Sequence, residues 1–228
     1  MRERLRRARR SGEAEAGMTL IEMLISMGVF SLAIALAFGA VITVVRSTNE
    51  ARDSAAAVTE MRQALAQIDR QIRSGNVLFS PSDEPTYVGT CVDMGSQSGT
   101  CMRIFTQSNG TRQCVQWQML EDAGSDPKTF TLRTRSWSTD WNTGGTSQGW
   151  SVVARDLWVD TTTPYSSANA PFVLQGASTP YKDRMLLVRL YSARTASTGE
   201  HLQVTSSLTG RNTTYGYDSS QCDNPPPP

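Results

Sequence analysis

Hydrophobic and polar positions divide the chain into three unlike stretches. Residues 1–17, MRERLRRARRSGEAEAG, are charged and lack any hydrophobic period, so they read as a cytoplasmic leader outside the fold. From Met18 to Val45 the chain is apolar for 28 residues, broken only by Glu22 and by small hydroxyl or glycine residues. A run of that length crosses a bilayer as a helix, and the arginine-rich flank sets the N-terminus inside. Between Arg46 and Ser74 there is no proline or glycine, and Val58, Met61, Leu65, Ile68 and Ile72 recur at steps of three and four. That spacing lines one helical face with apolar side chains fit to pack on a sheet, and leaves Arg62, Asp69, Arg70 and Arg73 to solvent. Gly75 is expected to end the helix as its C-cap. The pattern predicts one helix of 57 residues, Met18–Ser74, about 85 Å long at 1.5 Å per residue. Residues 18–45 form its membrane half and residues 46–74 its amphipathic half.

After Gly75 the period changes to short runs rich in Thr, Ser, Trp and Val, the mark of antiparallel strands joined by turns. Strands are expected over 101–107, 112–120, 129–137, 150–159, 185–193 and 201–210, and the Asn109-Gly110 pair suits a tight hairpin turn between the first two. Thr139–Gly149 and Thr161–Pro171 read as surface connections. The fold class is therefore α+β, a long N-terminal α-helix packed on an antiparallel β-sheet domain spanning 75–223. The closing residues 224–228, Asn-Pro-Pro-Pro-Pro, read as a disordered tail.

At 228 residues there is room for one core plus a non-globular segment. The net charge of +1 hides a gradient, because Arg2, Arg4, Arg6, Arg7, Arg9 and Arg10 crowd the first ten residues against Glu3 alone. From Gly75 onward 11 Lys/Arg face 13 Asp/Glu, a net of −2, so the globular part has no electrostatic footprint for nucleic acid and direct DNA binding is not expected. Cys91, Cys101, Cys114 and Cys222 lie downstream of the apolar run and form no CxxC knuckle. Two disulfides in an extracytoplasmic setting are the natural reading, with buried free thiols as the alternative. Three pairings are open. We favour Cys91 with Cys101, closing a short loop, and Cys114 with Cys222, tying down the C-terminus.

Glu22 raises the sharpest question, since an ionised carboxylate near a bilayer centre costs at least about 2.5 kcal/mol. Gly17 directly before Met18-Thr19-Leu20-Ile21-Glu22, followed by an unbroken apolar helix, resembles the class III signal of the type IV prepilin and pseudopilin superfamily. In that family a prepilin peptidase cuts after the glycine on the cytoplasmic side and methylates the new amine. The resemblance thus implies scission of the Gly17–Met18 bond and N-methylation at Met18, a position where phenylalanine is common in the family. It also implies an assembly-register role for Glu22. The free amine and the glutamate are opposite charges one helical turn apart, and in low dielectric a neighbouring subunit's amine pairs with such a carboxylate directionally. Gly28 and Gly39, the only glycines of the apolar half, allow either helix flexibility during packing or close approach of neighbouring helices. The globular part, with WSVVARDLWVD and two closing strands, is similar to the larger minor pilins of the PilW and J-type pseudopilin group. Such subunits initiate or cap a type IV pilus or a type II secretion pseudopilus, with other major and minor pilins and the cytoplasmic membrane as partners.

The remaining residues point away from catalysis. His201 is the sole histidine and falls in a predicted strand, which rules out a histidine triad or a multi-histidine metal site. Asp156 with Asp160, or Asp122 with Asp126, lack the spacing of a calcium loop. Trp117, Trp137, Trp141, Trp150 and Trp158 read as core and sheet-face residues, with only Arg133, Arg135 and Arg155 interleaved. No catalytic residue, metal site or cofactor is expected. The rival reading is an uncleaved, membrane-anchored β-rich binding domain unrelated to filaments.

Overall fold

The computed structural model describes residues 19–84, 99–107, 110–160, 165–175, 185–195, 199–210 and 219–227. One helix, α1 (Leu20–Arg73), runs for 54 residues, within two residues of the expected bounds. Among the described residues eight strands follow: β1 (Gly75–Leu78), β2 (Cys101–Thr106), β3 (Gln113–Glu121), β4 (Phe130–Trp137), β5 (Ser147–Trp158), β6 (Phe172–Gln175), β7 (Met185–Thr195) and β8 (His201–Thr209). The chain divides into two compact units, Met1–Ala51 and Arg52–Pro228.

All eight strands join one antiparallel sheet in the order β1-β2-β3-β4-β5-β7-β6, with β8 also paired to β7. Tyr191 of β7 pairs with Trp158 on one side and Gln203 on the other, so β5 and β6 share one edge of β7 and β8 takes the opposite edge. The second part of α1 packs on this sheet. Met61, Ile68 and Ile72 are fully buried, and Val58 and Leu65 pack half-buried beside them, as the three-four spacing predicts; Ala64, outside that stripe, is fully buried with them. They meet Met102 and Ile104 of β2 and Val115, Trp117 and Met119 of β3, alternate residues that share the helix-facing side. The α+β arrangement expected from the sequence is thus the observed one.

Four local expectations are corrected. Gly75 is not a C-cap but the first residue of β1, paired with Thr106. A Cβ there would come within 2.9 Å of Ile72 O and 3.3 Å of the Ile104 side chain, so close approach of sheet and helix end, not a left-handed turn, calls for glycine. The β2–β3 connection is not a two-residue hairpin, since Thr106 pairs with Gln113; Gly110, at φ 80°, donates its N–H to Gln107 O, and Asn109 lies outside the described residues. Strands β1 and β6, four residues each, were not foreseen because runs that short show no period. Finally, the tail is held: Pro226 is buried, and carbonyls of Asn224, Pro226 and Pro227 accept hydrogen bonds from Trp141 and Arg135.

Candidate functional site

The N-terminal turn of α1 is built by Thr19. Its Oγ1 accepts the Glu22 N–H at 3.3 Å while its carbonyl accepts the Met23 N–H at 3.1 Å, so Thr19 is the N-cap and Glu22 the third helical residue. Thr-x-x-Glu is the capping-box pattern, and the helix dipole favours a carboxylate at this end. Glu22 therefore has a local reason to sit where it does, besides the one the motif suggests.

The apolar part of α1 meets its own polar needs. Ser26, Ser31 and Thr43 each donate their hydroxyl to the carbonyl four residues earlier, at 2.7, 2.8 and 3.0 Å. Such bonding inside the segment is what a lipid environment demands of polar groups. Large side chains from Leu20 to Val45 are exposed, Leu20 to 81% and Phe30 to 66%. By length and composition this helix is long and apolar enough to cross a membrane. Glu22 is the one ionisable side chain in its apolar run. A Cβ added at Gly28 or Gly39 would meet nothing within 4 Å, so no contact among the described residues explains either glycine. Eleven residues separate them, close to three full turns, which puts both on one helical face. Gly17 and Met18, the expected scissile pair, lie outside the described residues.

The cysteines divide likewise. Cys114 and Cys222 form a disulfide with Cα atoms 5.8 Å apart, the pairing favoured from the sequence. Cys101 is also disulfide-bonded, and its expected partner Cys91 lies outside the described residues.

No family model, curated protein or solved structure matches the chain.

The sheet face away from α1 holds a polar cluster that sequence reasoning did not pick out. Arg103 of β2, fully buried, donates its Nε–H to Glu84 at 2.8 Å and an NH1 hydrogen to Cys222 O, while its guanidinium lies 4.4 Å over the Phe79 ring. Burial pushes the Glu84 carboxyl above its ordinary range, and the Arg103 charge pulls it part of the way back. Two strands along, Arg133 and Arg135 of β4 lie 4.2 Å and 4.6 Å from the ring centroid of Trp150 on β5. The period of two in CMRIFT and FTLRTRSW was the available signal, since it places Arg103, Arg133 and Arg135 opposite the apolar positions. His201 stacks on Trp158 at 4.2 Å with Nδ1 2.8 Å from Ser192 O, a strand side chain as expected. Asp122 caps a turn, its two carboxylate oxygens accepting from the hydroxyls of Thr129 and Thr131.

Proposed function

We propose that this chain is a minor pilin or pseudopilin, a non-catalytic structural subunit that helps initiate or cap a type IV pilus or a type II secretion pseudopilus. The observation that carries the reading is Glu22, a lone carboxylate at the start of an apolar helix whose other polar side chains are satisfied within the helix. A cost of that kind is kept where the charge has work to do, and a partner amine on a neighbouring subunit supplies it. In this reading prepilin peptidase cuts Gly17–Met18 and methylates Met18. The protein then sits in the cytoplasmic membrane as a single-pass subunit, N-terminus inside and β-domain extracytoplasmic, until it enters a filament at the cell surface with other major and minor pilins. The disulfides agree with an oxidising compartment for the domain. The capping of α1 by Thr19 is a competing account of Glu22 on which the carboxylate serves the helix alone.

The test is the N-terminal sequence and mass of the protein from its native membrane, with and without active prepilin peptidase. An N-methylated Met18 that disappears with the peptidase is the expected result. An intact Met1 under both conditions overturns the proposal and leaves a membrane-anchored β-rich binding domain. Glu22→Gln then separates the two accounts of the acid. If Glu22 sets register, the variant is cut and methylated as before but is missing from sheared filaments; if it only caps the helix, incorporation is unchanged.

A further inference from the structure

The C-terminal segment is a proline-rich peptide bound by its own domain, and the way it is bound is general. Beyond Cys222, anchored by its disulfide, Asn224–Pro227 joins no strand or helix. Prolines have no N–H, so their carbonyls are the only backbone hydrogen-bonding groups they can offer. The domain binds three carbonyls of this segment, two of them proline carbonyls: Trp141 donates its indole N–H to Asn224 O at 2.7 Å, and Arg135 Nη1 donates to Pro226 O at 2.8 Å and to Pro227 O at 3.1 Å. Arg135 is itself held ready. Its Nε–H is bonded to Gln116 Oε1 at 2.7 Å, its guanidinium lies between the rings of Trp150 and Trp137 at 4.6 and 5.4 Å, and its side chain is buried. A pre-positioned charged donor and an indole N–H, set among aromatic rings, are the elements by which extended proline-rich segments are recognised. Each of these contacts falls on a main-chain carbonyl, and the buried Pro226 brings no N–H that would need a partner there.

We propose that the face formed by Arg135, Trp137 and Trp141 is a binding site for extended proline-rich segments, filled in cis by Asn224–Pro227 and open to such a segment of a partner protein when this tail is displaced. The site goes beyond the assembly reading and stands whether or not Gly17 is cut. The tethered tail acts as an internal competitor, since attachment at Cys222 holds it at high local concentration.

The test uses the full chain in detergent with disulfides intact, the variant Pro226→Lys, which sets a second cation beside Arg135 and so weakens the internal tail, and the peptide acetyl-Asn-Pro-Pro-Pro-Pro-amide carrying a nitroxide spin label. The indole N–H resonances are followed by NMR. The Pro226→Lys chain is expected to shift its Trp141 signal, and then to bind the peptide saturably, at least about tenfold more tightly than the wild-type chain does. Adding Trp141→Phe, which removes one donor and keeps an aromatic ring, weakens peptide binding, read on the Trp137 signal, by about tenfold. The spin-labelled all-alanine peptide acetyl-Asn-Ala-Ala-Ala-Ala-amide does not bind. Equal binding of the two peptides, or no effect of Trp141→Phe, overturns the proposal, and so does an unshifted Trp141 signal in the Pro226→Lys chain. If Pro226→Lys disturbs the fold, the wild-type chain titrated to millimolar peptide makes the same discrimination, because the proline peptide must displace the tail and broaden the Trp141 signal while the alanine peptide must not.

Discussion

One hydrogen bond ties α1 to the centre of the sheet, and its worth can be measured. Trp117 of β3 is fully buried and donates its indole N–H to Gln71 Oε1 at 2.6 Å; Gln71 is itself only 9% exposed. Replacing Gln71 by Leu keeps side-chain volume and removes the acceptor. The orphaned indole N–H then costs about 1–3 kcal/mol, while the new apolar surface returns part of that. The single variant mixes the two effects. A double-mutant cycle with Trp117→Phe separates them, because with both partners gone nothing polar is left stranded. We expect a coupling energy of about 1–2 kcal/mol between the positions. The assay is urea unfolding of the four chains in detergent under non-reducing conditions, followed by near-UV circular dichroism, with midpoints compared at a common slope. The Gln71 carbonyl, which accepts the Thr106 hydroxyl at 2.9 Å, is a backbone atom and is retained in every variant. Additive effects within about 0.3 kcal/mol would show that water or another group satisfies Trp117, and the bond would then have no part in docking the helix.

Three further outcomes follow from the same structure. Cys114 and Cys222 are 108 residues apart, so replacing both by Ser is expected to lower stability by about 4.7 kcal/mol on the chain-entropy model, readable as a lower urea midpoint; a loss under about 1 kcal/mol speaks against that origin. Asp156 lies in a bulge of β5 at φ 51° with its side chain exposed, so Asp156→Gly should stay within about 0.5 kcal/mol of the parent while Asp156→Val costs about 1–2 kcal/mol in the same assay; equal effects refute the strain argument. Because burial raises the Glu84 carboxyl above its ordinary value of 4.5, the folded chain holds this proton where the unfolded chain has released it; its contribution to stability is greatest below about pH 4.5 and falls as pH rises through the raised value. Subtracting the profile of Glu84→Gln should isolate that downward slope, and an upward slope in the difference would mean that Arg103 outweighs burial.

Sequence alone carried the elements whose period was long enough to read. The three-four steps from Val58 to Ile72 located the helix face that packs on the sheet, and the alternation in the longer strands located their bounds to within one to three residues. Ala64 escaped that stripe because a small side chain gives a weak hydrophobic signal, yet it is fully buried where helix and sheet come close. The proline tail was misread for a different reason. Low complexity argues for disorder only when nothing covers the segment, and the arginine and tryptophan that hold it, Arg135 and Trp141, lie about 80 to 90 residues earlier in sequence. Glu22 was legible as an anomaly, and Thr19 could have been read as its cap from the Thr-x-x-Glu spacing. The period of two in CMRIFT puts Arg103 opposite the apolar positions, but its burial and its pairing with Glu84 were beyond reach, since an isolated arginine in a strand reads as solvated until its neighbours are known.

In the assembly proposed above, the hydroxyls of Ser26, Ser31 and Thr43, turned onto their own helix, would also bear on how the chain tells one neighbour from another. With those groups committed to their own helix, the apolar stretch offers adjoining helices shape and dispersion but few directional bonds. A surface of that kind discriminates poorly, so in such an assembly partner identity would fall to the β-rich domain. The apolar stretch is then an interchangeable cassette: a chimera carrying another apolar helix of equal length in place of residues 23–45, with Glu22 kept, should still choose the same companions, as co-purification would register.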